Sequence, residues 1–481
     1  MQSFVLRPSS KLHAGHIMNL STALRLQPAE VVALVGGGGK TSTMFQLAAE
    51  IAAAGGQVIT TTTTRIFEAQ IALAPVHFVA GQASLAEISA ALARTGHVLL
   101  TGPVDTAAGK APGIPLSLVP ELQALPVHPT LLIEADGARM RPFKAPAEHE
   151  PVIPAETTLV VPVAGVDILG RTLSNEYVHR AELVAQLVGA RLGDVVTPEL
   201  VAGVLAHSSG GLKNAPAPSR RVALINKVES PDDVAGARQI AGLALRSGRF
   251  SAVVLAKVRR DPPVVEVWGR VSAVVLAAGQ ASRMGQLKQV MPWGGGGTVI
   301  GAVLQRLQQV GDLFEIVVVT GREREQVEAR VAEALAAAPR PTAAPVRTVF
   351  NPKFAQAEMA RSVQTGLDAL PDDTLAALVV LGDQPQVRPA VIAAVLQRWR
   401  ETQAPVVAPF YQGQRGNPVL LDRVVWPLVR ALPDSANPRE IFQAAGRMER
   451  VELQDDTILR DLDTPEDYAR EFADSTRGII I

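Results

Sequence analysis

Two aspartates in the C-terminal half of the chain could together hold a divalent cation. Asp383 follows the apolar run 378–381 after one glycine, and Asp463 lies in the acidic segment Asp461–Asp467. Mg2+ in proteins is usually held by one or two carboxylates together with substrate phosphates. An aspartate just past the end of a parallel strand lies at the rim where α/β sheets bind ligands. The pair therefore predicts a magnesium site, although Asp463 taken alone is better explained as the start of a helix.

A turn in the same half could bind the phosphates that such a metal needs. The apolar run 271–276 ends in a turn of small and cationic residues. The residues expected to contact a nucleotide there are Ala277, Ala278, Gly279, Arg283, Gly285 and Lys288. Small residues let backbone N–H groups approach a triphosphate closely, and arginine and lysine neutralise its charge. Glycine turns after strands are common, so the turn gains its meaning only beside the two aspartates.

The N-terminal half contains a second phosphate-binding pattern. An apolar run at 31–35 leads into glycines, a Lys-Thr pair and an apparent helix; the expected nucleotide contacts are Gly36, Gly39, Lys40, Thr41 and Ser42. This order would place backbone donors and a helix N-terminus around a phosphate, with Lys40 on its outer oxygens and Thr41 on Mg2+. Leu34 stands where a standard Walker A motif needs glycine, so the pattern fits the shorter G-x-x-G-K-T-S form of Mur-ligase-type P-loops. We expect ATP or GTP to bind here.

Polar residues at three other strand ends bear on this site. The apolar run 131–133 ends in the carboxylates Glu134 and Asp136, a Walker-B-like arrangement suited to a metal's second shell or to a water molecule. The threonines 60–64 could supply hydroxyls, or reflect β-propensity alone. Asn226 and Lys227, followed by Glu229, are similar to the N-K-x-D base-reading motif of GTPases, with Glu in place of Asp. Guanine selectivity and an ordinary polar strand end are equal alternatives there.

Strand-like and helix-like segments alternate along the whole chain. Strands are predicted at 31–35, 57–61, 98–101, 130–134, 159–163, 222–225, 251–256, 271–276, 315–319, 376–381 and 404–408, with helices such as 41–54 and 180–187 after several of them. This alternation predicts parallel sheets with helices on both faces. A turn signal at 259–263 and a short tail at 264–268 place a domain boundary near Gly269. We expect an α/β protein with two doubly wound domains, residues 1–268 and 269–481.

The bulk composition excludes several kinds of site. A chain of 481 residues is too long for one ordinary core. Lys+Arg and Asp+Glu are both 46, so no net field favours nucleic acid. The absence of cysteine excludes disulfides, Cys-ligated zinc, iron–sulfur clusters and thiol catalysis. No segment has the pattern of a signal peptide or of a membrane span, so we expect a cytoplasmic protein.

The C-terminal motifs together resemble those of the MobA-like nucleotidyltransferases. Residues 276–288 are similar to the L-A-A-G-x-S-x-R-M-G-x-x-K signature, and residues 382–385, 416–420 and 463–468 are similar to the molybdenum cofactor cytidylyltransferase (MocA-like) branch. The resemblance implies a Rossmann-like (GT-A-like) domain that binds an NTP on the loop 279–288 and Mg2+ on Asp383 and Asp463. It implies that Asn417 lines the cofactor pocket. It also implies that a pterin-cofactor phosphate attacks the α-phosphate of CTP, with release of pyrophosphate.

The sequence departs from that pattern in places. Ala281 stands where the family usually has serine, and the loop 292–298 is expanded by glycines. The segment 351–367 resembles an N-P-x4-G-M-x2-S-x3-G-L stretch, which would place Ser362 at the nucleotide. One residue is inserted in it, and Glu358 occupies a glycine position. A carboxylate near a triphosphate would repel it.

Six stretches of the N-terminal half, 35–42, 60–65, 133–139, 144–151, 165–180 and 226–228, together resemble the YqeC family, accessory proteins of selenium-dependent molybdenum hydroxylases. The resemblance implies a P-loop NTPase-like domain that binds a nucleotide. It implies no particular reaction.

Three functions are compatible with these patterns. The first is a Mg2+-dependent transfer of CMP to a molybdopterin-type cofactor, joined to an accessory domain that serves a molybdenum hydroxylase apoenzyme. The second is a non-catalytic insertion chaperone switched by ATP or GTP, which Glu358 favours. The third is a nucleotidyltransferase that uses GTP or another phosphate acceptor. Ala278 favours cytidine over guanine, because guanylyl-transferring relatives tend to carry glycine at that position.

Overall fold

The N-terminal half is built on eight parallel strands. The structure, a computed structural model, describes residues 18–278, 287–294, 297–337, 344–354, 359–434 and 446–477, together with Ala436 and Glu440. The strands of this half are β1 Val31–Gly36, β2 Val58–Thr62, β3 Arg65–Phe67, β4 His77–Val79, β5 His97–Thr101, β6 Lys110–Pro112, β7 Thr130–Glu134, β8 Phe143–Lys144, β9 Leu159–Gly165, β10 Val178–His179, β11 Arg220–Asn226 and β12 Ala252–Ala256. Its helices are α1 Leu20–Ala23, α2 Lys40–Ala53, α3 Leu85–Thr95, α4 Leu118–Gln123, α5 Ala181–Val188, α6 Pro198–Ala206 and α7 Pro231–Arg246. The parallel strands lie in the order β4-β5-β2-β7-β1-β9-β11-β12.

Both faces of this sheet are covered, which explains why its strands are apolar without alternation. In β1, Leu34 packs in one core cluster with Leu47 of α2. Val31 packs in a different cluster with Leu92 of α3. Because successive side chains of a strand point to opposite faces, helices must cover both sides of β1. The strand therefore ends in a fixed position, and the loop that follows it is held at the rim of the sheet.

The C-terminal half has a mixed sheet. Its strands are β13 Val264–Ala277, β14 Pro292–Trp293, β15 Gly297–Thr298, β16 Leu313–Thr320, β17 Val346–Phe350, β18 Thr374–Leu381, β19 Val406–Tyr411, β20 Gln414–Arg415, β21 Val419–Asp422 and β22 Met448–Glu452. Its helices are α8 Val299–Gln308, α9 Arg324–Ala337, α10 Met359–Asp368, α11 Pro389–Thr402, α12 Trp426–Arg430 and α13 Pro465–Arg477. β17, β16, β13 and β18 are parallel neighbours, whereas β21 runs antiparallel to both β18 and β19.

Strand β13 joins the two halves. Its first part, up to Gly269, pairs antiparallel with β12, and from Val271 onward it pairs in parallel with β16 and β18. Sixteen of the described strands, from both halves, thus belong to one sheet, and the other six form three two-stranded sheets, β3 with β6, β8 with β10 and β14 with β15. The expectation that residues 264–268 form a short tail is wrong, because they are the first third of a continuous strand. The hydrogen-bonding demand of β12 explains the difference, since Val253–Leu255 pair with Glu266–Trp268.

A buried carboxylate holds the two halves together at this strand. Glu266 of β13, only 2% exposed, accepts hydrogen bonds from Arg238 of α7, from Gln397 of α11 at 2.8 Å and from Trp268 at 2.8 Å. Burial alone would raise the pKa of Glu266, but these donors outweigh it and hold the pKa below its ordinary value. The carboxylate is therefore ionised, and it ties a helix of each half to the shared strand. Arg25 adds a second contact, an ion pair with Asp422 at 2.6 Å.

The predicted α/β class is confirmed by this arrangement of alternating strands and helices. One sheet runs through both halves, so the strand pairing continues across Gly269. Within the described ranges, no helix is long and apolar enough to cross a bilayer.

Replacing Arg238 with methionine should destabilise the junction. The change leaves the Glu266 carboxylate buried with two neutral donors. Removing one partner of a buried ion pair costs about 3–5 kcal/mol. Because the Arg238 side chain is 40% exposed and two donors to Glu266 remain, we expect a smaller loss of about 2 kcal/mol in the free energy of unfolding. Urea denaturation of the full chain measures it. Arg246→Met changes an exposed arginine of the same helix and should shift stability by less than about 0.5 kcal/mol; an equal loss in both variants would contradict the role of Glu266.

Candidate functional site

The two aspartates predicted to hold a metal lie on either side of one lysine. Asp383 follows β18, Asp463 lies just before α13, and Lys288 begins a short 3-10 turn. The Lys288 ammonium lies 2.7 Å from a carboxylate oxygen of Asp463 and 3.5 Å from one of Asp383. The fold thus brings three residues from distant segments to the edge of the sheet where β13 and β18 end.

A third aspartate, which the sequence analysis did not assign, belongs to the same cluster. Asp461 accepts a hydrogen bond from Gln384 at 2.6 Å, and Gln384 is the residue after Asp383. Burial raises the pKa of Asp461, and the neighbouring charges of Asp383 and Asp463 raise it further. In the sequence, Asp461 is indicated by its place in the acidic segment 461–467. The family-like motif in that segment begins at Asp463 and does not include Asp461.

The electrostatics of this cluster favour a bound cation. Burial raises the pKa of Asp383, and the Lys288 ammonium offsets only part of that effect. Burial lowers the pKa of Lys288, but its contacts with Asp463 and Asp383 outweigh this and raise the pKa. The closely spaced carboxylates repel one another, and the Lys288 ammonium neutralises only part of their charge. Carboxylate oxygens are the hard ligands that Mg2+ prefers, so the cluster fits this cation. Among the residues that the structure describes, no group of three or more histidine, aspartate or glutamate side chains could hold a metal alone, so substrate phosphates would complete the coordination.

The other residues predicted for this half fall into three groups. Ala277 and Ala278 are buried at the end of β13 and lead toward the turn. Gly279, Arg283, Gly285 and Glu358 lie outside the described residues. Ser362 is buried in α10 and accepts a hydrogen bond from Asn351 at 3.1 Å.

Asn417 lies against the segment that carries the aspartates. Its backbone N–H donates to the carbonyl of Ile458 at 3.2 Å. A side chain on the preceding Gly416 would meet that carbonyl oxygen at 2.4 Å. The G-N-P turn therefore needs glycine to approach residues 456–463 closely, and it helps to position Asp461 and Asp463.

In the N-terminal half, the glycine loop (Gly36–Gly39) is held between β1 and α2. Gly36 has φ 93° and Gly38 has φ 81°, a region that favours glycine. A side chain on Gly38 would also meet the backbone N of Gly165 at 2.2 Å. The loop therefore passes so close to β9 that only glycine fits. Its N–H groups donate within the protein, from Gly36 to the Asp136 carboxylate at 3.0 Å, from Gly37 to the carbonyl of Val163 at 2.9 Å and from Gly38 to the carbonyl of Arg141 at 3.1 Å.

Lys40 heads a chain of buried ion pairs below this loop. Its ammonium donates to the carbonyl of Gly36 at 2.6 Å and lies 3.2 Å from Asp136. Asp136 in turn lies 3.0 Å from Lys144, whose ammonium is 2.7 Å from Glu150. Arg180 completes the chain at 2.7 Å from Glu150. Burial would lower the pKa of Lys40, but the charges of Asp136 and Glu134 outweigh it and raise the pKa, so the lysine is a fixed cation under the loop.

The remaining predicted residues surround the same loop. The Thr41 hydroxyl donates to Glu134 at 2.7 Å, and the Ser42 hydroxyl accepts from Arg259 at 3.1 Å. Asn226 donates from its side chain to the carbonyl of Gly38 at 2.8 Å, so it braces the loop. Lys227 forms an ion pair with Asp167 at 2.7 Å.

The threonine run divides between two roles. Thr60 bonds to His97, Thr61 donates to the carbonyl of Leu100, and Thr62 donates to that of Glu134. These hydroxyls are therefore used within the sheet. Thr63 and Thr64 line the cavity described next.

A large open cavity lies over the glycine loop. Its volume is about 1180 Å³, and its lining includes Gly38–Ser42, the segments 137–141 and 149–150, His179 and Arg180. The motif patterns assign no role to Lys144, Glu150 or Arg180, which lie in the YqeC-like stretches 144–151 and 165–180. Their role depends on which charges meet across strands β8 and β10, which sequence spacing does not show.

Two comparisons bear on the N-terminal half. The model of the YqeC protein family matches residues 32–182. The uncharacterized protein YqeC of Escherichia coli (strain K12) is 32% identical over 241 residues, which are 49% of this chain and 90% of that protein. The chain belongs to the YqeC family.

The C-terminal half carries a second domain type. The model of the MobA-like NTP transferase domain matches residues 273–451. The molybdenum cofactor cytidylyltransferase of Escherichia coli (strain K12) is 25% identical over 198 residues, 41% of this chain and 93% of that protein. Both resemblances seen in the sequence are thereby confirmed: this YqeC-family chain also contains a MobA-like nucleotidyltransferase domain.

One similar solved structure is that of Rv0371c from Mycobacterium tuberculosis H37Rv. It is 24% identical and covers 43% of this chain and 98% of its own, with a TM-score of 0.34. Another is a nucleotidyl transferase from Methanothermobacter thermautotroptrophicus, 25% identical, covering 44% and 99%, with a TM-score of 0.35. At these TM-scores neither likeness bears on the fold or the function of this chain.

Acid should weaken the N-terminal half through Glu150. Burial would raise the pKa of Glu150, but hydrogen bonds from Arg180 and Lys144 lower it from 4.5 to about 2. The stabilisation is complete above pH 4.5 and is lost as the pH falls toward 2, an effect of about 3 kcal/mol. Acid titration of unfolding stability should therefore fall more steeply in the wild type than in Glu150→Gln. Glu148→Gln, an exposed neighbour, should follow the wild type; parallel curves for the wild type and Glu150→Gln would refute this assignment.

Proposed function

We propose that the C-terminal half transfers a cytidylyl group from CTP to the phosphate of a molybdopterin-type cofactor and releases pyrophosphate. The observation that carries this proposal is the convergence of Asp383 and Asp463 on the Lys288 ammonium, at the end of β13 and β18. The match of the MobA-like domain to residues 273–451 and the likeness to a molybdenum cofactor cytidylyltransferase support it. We also propose Gly269 as the boundary between the two functional units.

The chemistry needs charge and position rather than a side-chain nucleophile. An acceptor phosphate oxygen forms a bond to the α-phosphorus, while the bond to the bridging oxygen breaks and the electron pair leaves with pyrophosphate. Asp383 and Asp463 would hold Mg2+, which supplies neutralisation of the triphosphate charge. Lys288, which contacts both carboxylates, would be free to donate to a phosphate oxygen when those carboxylates hold a cation. Asp461 adds negative charge and, through Gln384, keeps Asp383 in place.

For the N-terminal half we propose ATP or GTP binding at the glycine loop, in an accessory role during maturation of a molybdenum hydroxylase. Lys40 would exchange the Gly36 carbonyl for a phosphate oxygen, and Thr41 would exchange Glu134 for Mg2+. Glu134 and Asp136 would then remain next to the metal and hold its ligands in position. The Asn226 side chain donates to Gly38 and is buried, so little of it is free to contact a base. The proposal therefore rests on the glycine loop and not on a base-reading motif at Asn226.

Asp383→Asn should abolish pyrophosphate release. The wild-type chain with Mg2+, CTP and a molybdopterin-type acceptor is expected to turn over, and GTP is compared side by side. Loss of one charged group that stabilises the transition state lowers the rate about a hundredfold or more. Asp372→Asn, a fully exposed aspartate two residues before β18, should keep the wild-type rate. No turnover with either nucleotide would contradict the transferase and favour a cofactor-binding insertion chaperone.

Lys40→Met should weaken nucleotide binding at the glycine loop. A buried ammonium that meets the phosphates is replaced by a neutral chain of similar length, so we expect at least about a tenfold loss of affinity for ATP or GTP, equal to 1.4 kcal/mol. Isothermal titration of the full chain in the background of Asp383→Asn measures this site with the other one impaired. Arg94→Met, exposed at the end of α3, is the control. Equal affinities for all three proteins would sink the proposal for this loop.

A further inference from the structure

The cavity over the glycine loop is larger than a single drug-sized ligand needs. Pockets that enclose a single drug-sized molecule measure about 300–1,000 Å³, whereas this cavity measures about 1180 Å³. The glycine loop lies on one part of its lining. The segment 139–141 together with His149, His179 and Arg180, which we call the basic wall, forms another part.

The cavity has a strong excess of positive charge. Nine cationic side chains line it, against three carboxylates, those of Glu134, Glu150 and Glu229. Four of the nine cations form ion pairs: Lys40 with Asp136, Arg180 with Glu150, Lys227 with Asp167 and Arg260 with Glu229. In the described part of the chain, the other five, which include Arg139 and Arg141 of the basic wall, have no carboxylate within ion-pair distance. An excess of this size in a concave site raises the local concentration of anions.

Backbone conformations point to the same wall. Ten non-glycine residues of the described chain have positive φ, and four of them line this cavity: Arg139, Met140, Arg180 and Lys227. Each such residue costs on the order of 1–3 kcal/mol, and residues of this kind cluster at functional sites. Met140 is also 88% exposed, so burial of its own side chain does not explain the conformation.

We propose that the basic wall binds a second, phosphorylated ligand beside the nucleotide held by the glycine loop. The proposal extends the nucleotide-binding role given above. Arg139 and Arg180 would contact the phosphate, and His149 and His179 lie next to it. Glu150 holds Arg180 in place from below through a 2.7 Å ion pair.

Histidine signals give a local readout for this site. Burial, with the charges of Arg180, Lys144 and Arg139, lowers the pKa of His179 to about 4. An anion at the wall offsets those cations, so the imidazole signal must move when it binds. Pyrophosphate at the C-terminal aspartates would leave His149 and His179 unchanged, because those residues lie in the other half.

The test titrates inorganic pyrophosphate into the full chain carrying carbon-13-labelled histidine, with His149→Gln and His179→Gln used for assignment. The His179 signal should shift in the wild type, in Lys40→Met and in Arg191→Ser, whose exposed arginine lies outside the cavity. Arg139→Ser should weaken the apparent affinity at least about tenfold. Because Lys40→Met removes the key cation of the glycine loop, the result does not depend on nucleotide binding there.

Three outcomes would overturn the proposal. The first is an absence of any shift of His149 and His179 in the wild type. The second is a shift that disappears in Lys40→Met, which would place the anion at the glycine loop. The third is an unchanged affinity in Arg139→Ser.

Discussion

The backbone of β13 is the constraint on which the arrangement of both sites depends. Its first residues pair with β12, whose end leads to Arg259 and Arg260 at the N-terminal cavity. Its last residues, up to Leu276, pair with β18, and the end of β18 leads to the aspartate cluster. Because β13 runs antiparallel to β12, the two sites lie at opposite ends of one strand of 14 residues, roughly 45 Å long at 3.3 Å per residue. A small molecule made at one site therefore has to leave it before it can reach the other.

The two sites use buried charge in different ways. Below the glycine loop, cations and carboxylates alternate from Lys40 to Arg180, so each charge has an opposite neighbour and the chain holds its shape without a ligand. At the C-terminal site, three aspartates share one lysine, and burial raises the pKa of Asp383 and Asp461. The first arrangement is satisfied within the protein; the second gains from an added cation.

Much of this could be predicted from local sequence. Strands such as 130–134 could be found because strands covered on both faces are continuously apolar. Lys288, Asp383 and Asp463 could be found because each lies in a short motif next to a strand or helix end. Their assigned roles as catalytic and metal-binding residues remain predictions.

Contacts between segments that lie far apart in the sequence could not be predicted. Residues 264–268 form a strand because β12 supplies their hydrogen-bonding partner, and the sequence of the segment itself does not show that pairing. Lys144, Glu150 and Arg180 received no role, because ion pairs between segments far apart in sequence follow from the fold and not from spacing. Asp461 was overlooked because its contact with Gln384 crosses from one segment to another.

The central claim is that Asp383 and Asp463 hold the metal that carries the nucleotide phosphates. Pulsed electron paramagnetic resonance of Mn2+ and CTP bound to the full chain, with aspartate labelled with carbon-13 in the carboxylate, tests it most directly. One Mn2+ ion should show coupling to both the phosphorus nuclei of CTP and the labelled carboxylates, and the carboxylate coupling should decrease in Asp463→Asn. Phosphorus coupling without any carboxylate coupling, or a carboxylate signal unchanged in that variant, would contradict the account.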